Sequence, residues 1–500
     1  MFKKILIANR GEIAVRIIRT CKEMNIKTVA IFSESDRTSP HVLKADEAYC
    51  VGGSLSSKSY LNVKKIIDTI KKTAVDAVHP GYGFLSENSD FAGQIAKTGA
   101  TWIGPSPKII NIMGDKIKAR QLAGKANIPI VPGIIKPINN LKSAEKNAEK
   151  IGYPILIKAA GGGGGKGMRI IHSKSDLKNA IDRSKSEAKK SFADDRVYME
   201  KYLEEPHHIE VQVFADNYGN IVSMGERECS IQRRYQKIIE ETPSPFINSN
   251  LRQKLSLSAV QLTKACNYSG AGTIEFLVDK YQNYYFLEMN TRLQVEHPIT
   301  EMVTGVDIVK EQIQVAAGKK LSFSQKIIQF RGHSIECRIY AEDGFDNFSP
   351  STGIINEMTT PQGLGVRLDE GVRTGQQITP YYDPLLAKLI TWGSDRDMAL
   401  SRMYRALSEF HIVGIESTVP FCKMVLMHPT FQKGKYSTNT LDSIKEELLK
   451  EISIQRADNS LAARIGAVKF YNQSKGGDKS IDKNITVSQW VAAGRQEGLE

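Results

Sequence analysis

The sequence PILIKAAGGGGGKGMRII, at residues 154–171, is the most informative stretch of the chain about its fold. It opens with an apolar run that ends at Lys158, continues through the glycines Gly161–Gly165 and Lys166, and closes with a second apolar run, Met168–Ile171. Two strands joined by glycines form a hairpin. Glycines let backbone N–H groups close on phosphate oxygens, and the lysines offset the anionic charge. The stretch therefore predicts a hairpin that covers a phosphate group.

Other glycine-rich motifs fit this run less well. A Walker A loop needs glycine where Ala160 stands and Ser or Thr where Gly167 stands. A dinucleotide pattern is met by Gly162, Gly164 and Gly167, but five consecutive glycines meet it by accident, and a strand rather than a helix follows. A flexible linker would be bounded by polar sequence, whereas apolar runs flank these glycines.

Upstream, apolar runs alternate with amphipathic stretches. The runs Lys4–Ala8 and Thr28–Phe32 alternate with the helix-like stretches Ile13–Met24 and Leu61–Thr73. This alternation predicts βαβ units and a parallel sheet, which binds ligands at the carboxyl ends of its strands. The first turn, Asn9–Glu12, carries a single glycine, which argues against a dinucleotide-binding site.

Downstream, two carboxylates and an amide fall on alternating segments. Glu275 lies in one segment, and Glu288 and Asn290 lie thirteen and fifteen residues further on. If the segments are neighbouring strands, these oxygens converge, and hard oxygen ligands beside a phosphate loop suit magnesium shared with ATP. Alone, such carboxylates would be read as solvated groups on a sheet face. The glycine run and its lysines favour metal binding.

A polar loop follows directly. Residues 288–298 read EMNTRLQVEHP and combine carboxylates, an amide and a guanidinium before a proline. Arg292 offers a planar fork that suits a small planar oxyanion. A polar surface loop is the simpler alternative for each residue taken singly.

Charge and composition narrow the function classes. The 68 basic and 55 acidic residues give a net charge of +13, which suits an anionic ligand. Acidic residues interleave the basic ones, as in Lys142–Lys150 and Lys178–Lys190, which argues against nucleic acid binding. No apolar run approaches the roughly 18 residues of a membrane span or the core of a signal peptide, so a cytoplasmic protein without membrane contact is expected. The six cysteines form no C-x-x-C pair.

Five stretches together resemble the biotin carboxylase family of the ATP-grasp superfamily. The stretches, in chain order, are Ile7–Ala14, His79–Asn88, Lys158–Met168, Glu288–Pro298 and Glu336–Arg338. Their ordered combination is highly specific, and the resemblance covers about Met1 to Leu441.

The resemblance implies an α/β and α+β protein with the ATP-grasp fold. The implied parts are an N-terminal parallel-sheet domain at 1–115, an ATP-grasp domain at 116–330 with its glycine lid at about 131–203, a C-terminal α+β domain at 331–446, and a variable tail at 447–500.

The resemblance also implies a role for each matching residue. Lys116, Lys158 and the lid glycines Gly163, Gly164 and Gly165 would hold ATP phosphates. Met168 would also bind ATP, and the nucleoside would contact Glu200, Lys201, Leu203, His208, Gln232 and Tyr235. Glu275, Glu288 and Asn290 would bind magnesium or manganese. Bicarbonate and biotin would contact Tyr82, Lys237, Arg292, Gln294, Val295, Glu296 and Arg338, with Glu296 as the base. Tyr235 departs from the family, which usually has His or Asn at its position.

The implied reaction is ATP- and bicarbonate-dependent carboxylation of biotin. No Ala-Met-Lys-Met stretch occurs in the sequence, so biotin is expected on a separate carrier protein, with a separate carboxyltransferase subunit. The family suggests a homodimer. Acetyl- or propionyl-CoA is the expected final acceptor, pyruvate is the alternative, and another ATP-grasp ligase is a remoter one.

Overall fold

The computed structural model of the protein describes residues 1–134, 136–161, 168–192, 194–454 and 468. The chain divides into two units, Met1–Ile444 and Lys445–Glu500. In the second unit residues 445–454 are helical, and nearly all of the predicted tail at 447–500 lies outside the described residues. Among the described residues, no helix combines the length and apolar composition that a membrane span requires.

The N-terminal part is a parallel sheet with helices on both faces. Its strands are β1 (Lys4–Ile7), β2 (Lys27–Ser33), β3 (Glu47–Gly52), β4 (Ala77–His79) and β5 (Thr101–Trp102), and its helices are α1 (Gly11–Glu23), α2 (Pro40–Lys44), α3 (Val63–Thr73), α4 (Ser89–Ala96) and α5 (Pro107–Gly114). The strand order is β3-β2-β1-β4-β5, with all pairs parallel. The prediction of βαβ units is confirmed.

The carboxyl ends of β1 and β4 lie side by side, because Ile7 pairs with His79. Just beyond β1, the buried amide of Asn9 donates to the carbonyls of Pro80 and Tyr82, each at 2.7 Å. Both loops that follow these strands are thereby tied together, and Tyr82 is held at the sheet edge where parallel sheets bind ligands.

A three-stranded antiparallel sheet and its helices form the next part. The elements are α6 (Lys116–Lys125), α7 (Leu141–Ile151), β6 (Ile155–Ala159), β7 (Arg169–Ile171), α8 (Leu177–Phe192) and β8 (Val197–Lys201). The order is β7-β6-β8, and Ile157 pairs with Arg169 across the glycine run. The two predicted strands of the hairpin are confirmed, whereas residues 162–167 lie outside the described residues.

The central sheet has eight strands. Five of these strands and three helices come from residues 207–316. They are β9 (His207–Ala215), β10 (Ile221–Arg233), β11 (Gln236–Thr242), α9 (Ser249–Ala265), β12 (Gly270–Val278), β13 (Tyr284–Asn290), α10 (His297–Thr304) and α11 (Ile308–Ala316). The remaining elements are β14 (His333–Tyr340), β15 (Glu342–Asp343), β16 (Ser349–Pro350), β17 (Gly353–Ile354), β18 (Glu357–Thr359), β19 (Val366–Glu370), β20 (Gln377–Ile378), β21 (Leu385–Gly393), α12 (Arg396–Glu409), β22 (His411–Val413), α13 (Val419–Met427) and α14 (Pro429–Gln432).

The strand order of this sheet is β13-β12-β9-β10-β11-β14-β21-β19. The sequence indicates a further α+β part from Glu336 onward, but three of its strands continue the same sheet. They join it where Ile239 of β11 pairs with Cys337 of β14. Local patterns do not reveal this continuity, because the paired residues are far apart in the chain.

Buried ion pairs of Glu241 connect β11 to strand β14 and to helix α12. Glu241 is 1% exposed and accepts hydrogen bonds from His333 at 2.6 Å and from Arg396 at 2.7 and 2.9 Å. Burial alone would raise the pKa of Glu241, but the hydrogen bonds from His333 and Arg396 outweigh it and lower this pKa from 4.5 to about 2.

We therefore expect the protein to lose stability in acid partly through Glu241. A folded-state pKa below the unfolded one contributes stability that is present above pH 4.5 and lost as the pH falls toward 2. The shift corresponds to about 3 kcal/mol. Urea unfolding of the unaltered protein and of Glu241→Gln, from pH 7 to pH 3, should give a difference in unfolding free energy that is constant above about pH 5.5 and narrows below it. A gap that does not depend on pH would contradict this assignment.

Candidate active site

A cavity of about 1060 Å³ lies where the N-terminal sheet, the three-stranded sheet and the central sheet meet. Its walls include these residues with predicted roles: Tyr82, Lys116, Lys158, Met168, Glu200, Lys201, Leu203, His208, Gln232, Tyr235, Lys237, Glu275, Glu288, Asn290, Arg292, Gln294, Val295 and Arg338. Glu296 does not reach the wall but is fully buried behind it. Gly163, Gly164 and Gly165 lie outside the described residues.

Two lysines form the side of the cavity predicted for phosphates. Lys158, near the end of β6, lies 2.5 Å from Glu200, whose other oxygen accepts a hydrogen bond from Arg120 at 2.6 Å. Lys116, the first residue of α6, contacts Glu288. Burial lowers the pKa of Lys116, but the Glu288 charge outweighs it and raises this pKa above its usual value. The Lys116 ammonium is therefore charged and close to the carboxylate predicted to bind metal.

The predicted metal ligands are brought together as expected. Strands β12 and β13 are antiparallel neighbours, Glu275 pairs directly with Glu288, and Asn290 pairs with Thr273. The amide of Asn290 donates to Glu275 at 3.0 Å. Burial alone would raise the pKa of Glu275, but the charges of Lys237 and His208 outweigh it and hold this pKa well below its usual range. Two carboxylates beside a cationic phosphate side form a donor set that fits magnesium bound together with ATP.

Lys237 is the centre of the charged cluster at the other side of the cavity. Its ammonium donates to Glu210 at 2.5 Å, to Glu296 at 2.7 Å and to Glu275 at 3.0 Å. An ammonium group has three donors, so all of them are engaged by carboxylates. Burial would lower the pKa of Lys237, but these negative neighbours raise it well above its usual value. Lys237 therefore carries a full charge in contact with both the metal ligand and the predicted base.

Arg338 contacts the carboxylate oxygen of Glu296, the predicted base, that Lys237 does not contact. It donates to Glu296 at 2.9 Å and to Glu240 at 2.6 Å. Burial alone would raise the pKa of Glu296, but the charges of Lys237 and Arg338 outweigh it and hold this pKa well below its usual range. For Glu240 the effect of burial exceeds the opposing effect of the Arg338 charge and raises the pKa to about 7. Glu296 is thus ionised at neutral pH, whereas Glu240 is poised between its two forms.

Arg292 lies between the metal ligands and the N-terminal sheet. It donates to Glu87 at 2.9 Å, to Asn290 at 3.1 Å and to Gln294 at 3.2 Å. Glu87 comes from the loop after β4 that also carries Tyr82, so the guanidinium links this loop to the loop after β13. A planar donor group held in this way suits recognition of a planar anion.

The predicted nucleoside residues occupy the cavity wall with some differences from expectation. The ammonium of Lys201 donates to the carbonyls of Gly152 and Tyr153, at 2.9 and 3.0 Å. His208, expected at the ribose, has its Nε2 3.2 Å from Glu275. The ammonium of Lys201 is therefore hydrogen-bonded to main-chain carbonyls, and His208 lies against the predicted metal site.

Several charged residues of the cluster were not predicted. Glu210 and Arg227 form a buried pair at 2.5 Å, and Glu240 and Glu87 hold Arg338 and Arg292. For the residues in strands the signal was a charged residue inside a strand-like run, as with Glu210 in the predicted strand Glu210–Phe214, whereas Glu87 lies in a loop. That signal is weak, because only the fold reveals which opposite charge lies across the sheet.

The departure at Tyr235 lies in the turn between β10 and β11. Arg234 and Tyr235 both have positive φ, 47° and 67°, and Tyr235 is 56% exposed at the edge of the cavity. His tolerates this backbone conformation better than most residues. We expect Tyr235→His to change the KM for ATP by less than about tenfold, or about 1.4 kcal/mol, and to leave turnover nearly intact. Steady-state kinetics in ATP would check this, and a collapse in kcat would mean that Tyr235 takes part in the chemistry.

Family models match almost the whole first unit. The biotin carboxylase N-terminal domain model matches residues 1–110, the ATP-binding domain model of the carbamoyl-phosphate synthase L chain matches 115–324, and the biotin carboxylase C-terminal domain model matches 336–443. The carbamoyl-phosphate synthase model covers only the middle of the chain, whereas both flanking models are those of biotin carboxylases.

Curated relatives and solved structures agree with these models. The chain is 52% identical to biotin carboxylase 1 of Bacillus subtilis, over 89% of this chain and 99% of that protein. It is 47% identical to a pyruvate carboxylase subunit of Methanothermobacter thermautotrophicus, over 93% and 95%. A biotin carboxylase–βγ-ATP complex from Campylobacter jejuni superimposes with a TM-score of 0.87 at 46% identity, over 89% of this chain and 99% of that chain.

The biotin carboxylase domain dimer of Hydrogenobacter thermophilus 2-oxoglutarate carboxylase, solved with MgADP, ADP and bicarbonate, gives a TM-score of 0.86 at 46% identity, over 89% and 98%. Its ligands are those that the cavity described above is suited to bind.

Proposed function

This chain belongs to the biotin carboxylase family, and on that premise we propose that it carboxylates biotin carried by a separate protein, as the first half-reaction of an acetyl- or propionyl-CoA carboxylase. It is an enzyme of the ATP-grasp type that uses ATP, magnesium and bicarbonate. The observation that carries the proposal is the cluster in which Lys237 and Arg338 both contact Glu296 behind the cavity wall.

The first step is formation of carboxyphosphate. Lys116 and Lys158 hold the phosphates, and bound magnesium, held by Glu275, Glu288 and Asn290, would spread the charge of the transferred γ-phosphoryl group. Glu296 takes the proton of bicarbonate, whose oxygen then attacks the γ-phosphorus, and ADP leaves.

The basicity of Glu296 depends on its neighbours. In the free protein the charges of Lys237 and Arg338 make Glu296 a weak base. Bicarbonate that takes a donor of Lys237 removes part of this stabilisation, because all three donors of Lys237 are otherwise used by carboxylates. The pKa of Glu296 then rises when its substrate arrives, which favours proton transfer.

The second step moves the carboxyl group to biotin. Carboxyphosphate breaks into CO2 and phosphate, the phosphate takes the ureido proton, and the ureido nitrogen attacks CO2. Arg338 stabilises the negative charge that develops on the ureido oxygen. Water must be kept from carboxyphosphate, because it would hydrolyse this reactive intermediate.

The proposed partners are a biotin carboxyl carrier protein, a separate carboxyltransferase and a second copy of the chain. Their support is the likeness to proteins of similar length, such as the Bacillus subtilis biotin carboxylase, and to a biotin carboxylase domain solved as a dimer. Pyruvate is the second candidate acceptor, favoured by the likeness to the Methanothermobacter pyruvate carboxylase subunit.

The test is an assay of the purified chain with ATP, magnesium, bicarbonate and free biotin. We expect ADP release that depends on bicarbonate and is stimulated by biotin, together with carboxybiotin. ATP cleavage that ignores biotin would favour another ATP-grasp ligase. Co-purification with the carboxyltransferase, followed by assays with acetyl-CoA, propionyl-CoA and pyruvate, identifies the final acceptor.

A further inference from the structure

Lys388 is a buried cation that the mechanism above does not use. It lies in β21, in the interior of the central sheet, and is 0% exposed. Its ammonium donates to the carbonyl of Val295 at 2.9 Å and lies 3.2 Å from Glu12. Lys388 therefore ties the loop after β13 to the start of α1 in the N-terminal part of the fold.

The register of the sheet relates Lys388 to Arg338. The two residues are directly opposite each other on the paired strands β14 and β21, so their side chains leave the same face of the sheet. Arg338 holds the carboxylate of Glu296, and Lys388 holds the carbonyl of Val295. Two adjacent cations thus hold two consecutive residues, one through its side chain and the other through its main chain.

Glu12 extends this arrangement to Tyr82. The hydroxyl of Tyr82 donates to the same oxygen of Glu12 that faces Lys388, and the Lys388 ammonium lies 5.9 Å from the centre of the Tyr82 ring. Tyr82 and Val295 both line the cavity. One buried ammonium therefore lies between the two wall residues predicted for biotin and bicarbonate.

We propose that Lys388 is a positioning residue for the bicarbonate and biotin end of the cavity. It fixes Val295 and Glu296 through the Val295 carbonyl, and it fixes the Tyr82 phenol through Glu12. The proposal rests on the proposed function and goes beyond it, because Lys388 does not line the cavity and acts only through other residues.

A purely structural role explains the arrangement less well. A buried ion pair is a weak source of stability, and apolar residues of similar volume often replace one without loss. Asp369, opposite Lys388 on β19, is 4.0 Å away and already paired with Arg367 at 2.7 Å. An apolar residue can reproduce neither the hydrogen bond of Lys388 to Val295 nor its contact with Glu12.

The test is Lys388→Met, which keeps most of the length of the side chain and removes the donor. We expect the KM for bicarbonate, in ATP cleavage without biotin, to rise by on the order of tenfold, because small displacements of positioning groups have large kinetic effects. The KM for ATP should stay within about twofold, because the phosphate side of the cavity is not touched. Carboxybiotin formation should fall by more than ATP cleavage does, because Glu12, the acceptor of the Tyr82 hydroxyl, loses its Lys388 partner as well.

The matched control is Arg396→Met. It breaks another buried ion pair of the same sheet, with Glu241, and Arg396 does not line the cavity. It should lower the unfolding temperature without a selective effect on bicarbonate. Equal changes in KM for ATP and bicarbonate in Lys388→Met, or the same kinetic pattern as in Arg396→Met, would overturn the proposal.

A second variant covers the case in which Lys388→Met does not fold. Glu12→Met removes the acceptor of Tyr82 and the partner of Lys388, and should raise the KM for bicarbonate in the same direction; an unchanged KM would overturn the proposal. Assays of the unaltered chain distinguish a failure of the proposed function from a failure of the positioning role of Lys388. Without carboxybiotin formation by that chain the proposed function fails, whereas an active chain with an unaffected Lys388→Met variant contradicts the positioning role alone.

Discussion

Replacing Glu296 with Gln should reduce biotin-dependent ATP cleavage by on the order of a hundredfold or more, the usual scale for loss of a general base. The amide keeps the shape of the side chain and loses its basicity. ATP and magnesium binding should persist, because Glu296 is fully buried behind the cavity wall and contacts Lys237 and Arg338 rather than the phosphate lysines. The measurement is the rate of ADP release with and without biotin, beside the affinity for MgADP.

Glu240→Gln is the matched control for this substitution. Glu240 also contacts Arg338 and is also fully buried, but it makes no hydrogen bond to Lys237 among the described contacts. Its pKa is raised to about 7 by burial, so an amide replaces a group that is partly neutral already. Its loss of turnover should be less than about tenfold. Full carboxybiotin production by Glu296→Gln would exclude Glu296 as the base.

Replacing Arg338 with Gln should affect the second step rather than the first. The guanidinium that stabilises the ureido oxygen is lost, and removal of one such donor lowers the rate by about a hundredfold to a thousandfold. Slow ATP cleavage without biotin should survive, because Lys237 still contacts Glu296 at 2.7 Å. We therefore expect carboxybiotin yield to fall much further than bicarbonate-dependent ADP release.

The two yields, measured in one reaction, decide the role of Arg338. Equal loss of both activities, together with weaker ATP binding, would mean that Arg338 supports the nucleotide site. The reference variant is Lys158→Met. It should lose both activities together, because Lys158 is proposed to hold the ATP phosphates.

Much of the fold and site followed from local sequence. The strands on both sides of the glycine run, the parallel N-terminal sheet and the pairing of Glu275 with Glu288 were all predicted, because alternation and apolar runs extend over a few residues. The roles assigned to the individual side chains remain proposals for mutagenesis.

What escaped prediction depends on distant pairs. Strand β10 carries Arg227 in its interior, where a charge argues against a buried strand until Glu210 is found 2.5 Å away on β9. The contact of Lys388 with Val295 is of the same kind, since it follows from sheet register and not from either residue's neighbours. Sequence indicates such residues only as unexplained charges in apolar surroundings.

The continuity of the central sheet has a consequence for how the chain is made. During synthesis β11 emerges from the ribosome long before β14, the strand that pairs with it, because about ninety residues separate Thr242 from His333. Until then β11 presents unpaired backbone groups, a template for association between nascent chains. For the same reason, a hybrid protein spliced near residue 331 would have to match the donor's β14 to this recipient edge, so the junction of a successful chimera belongs before β9 or after β21, the last strand of the sheet in the chain.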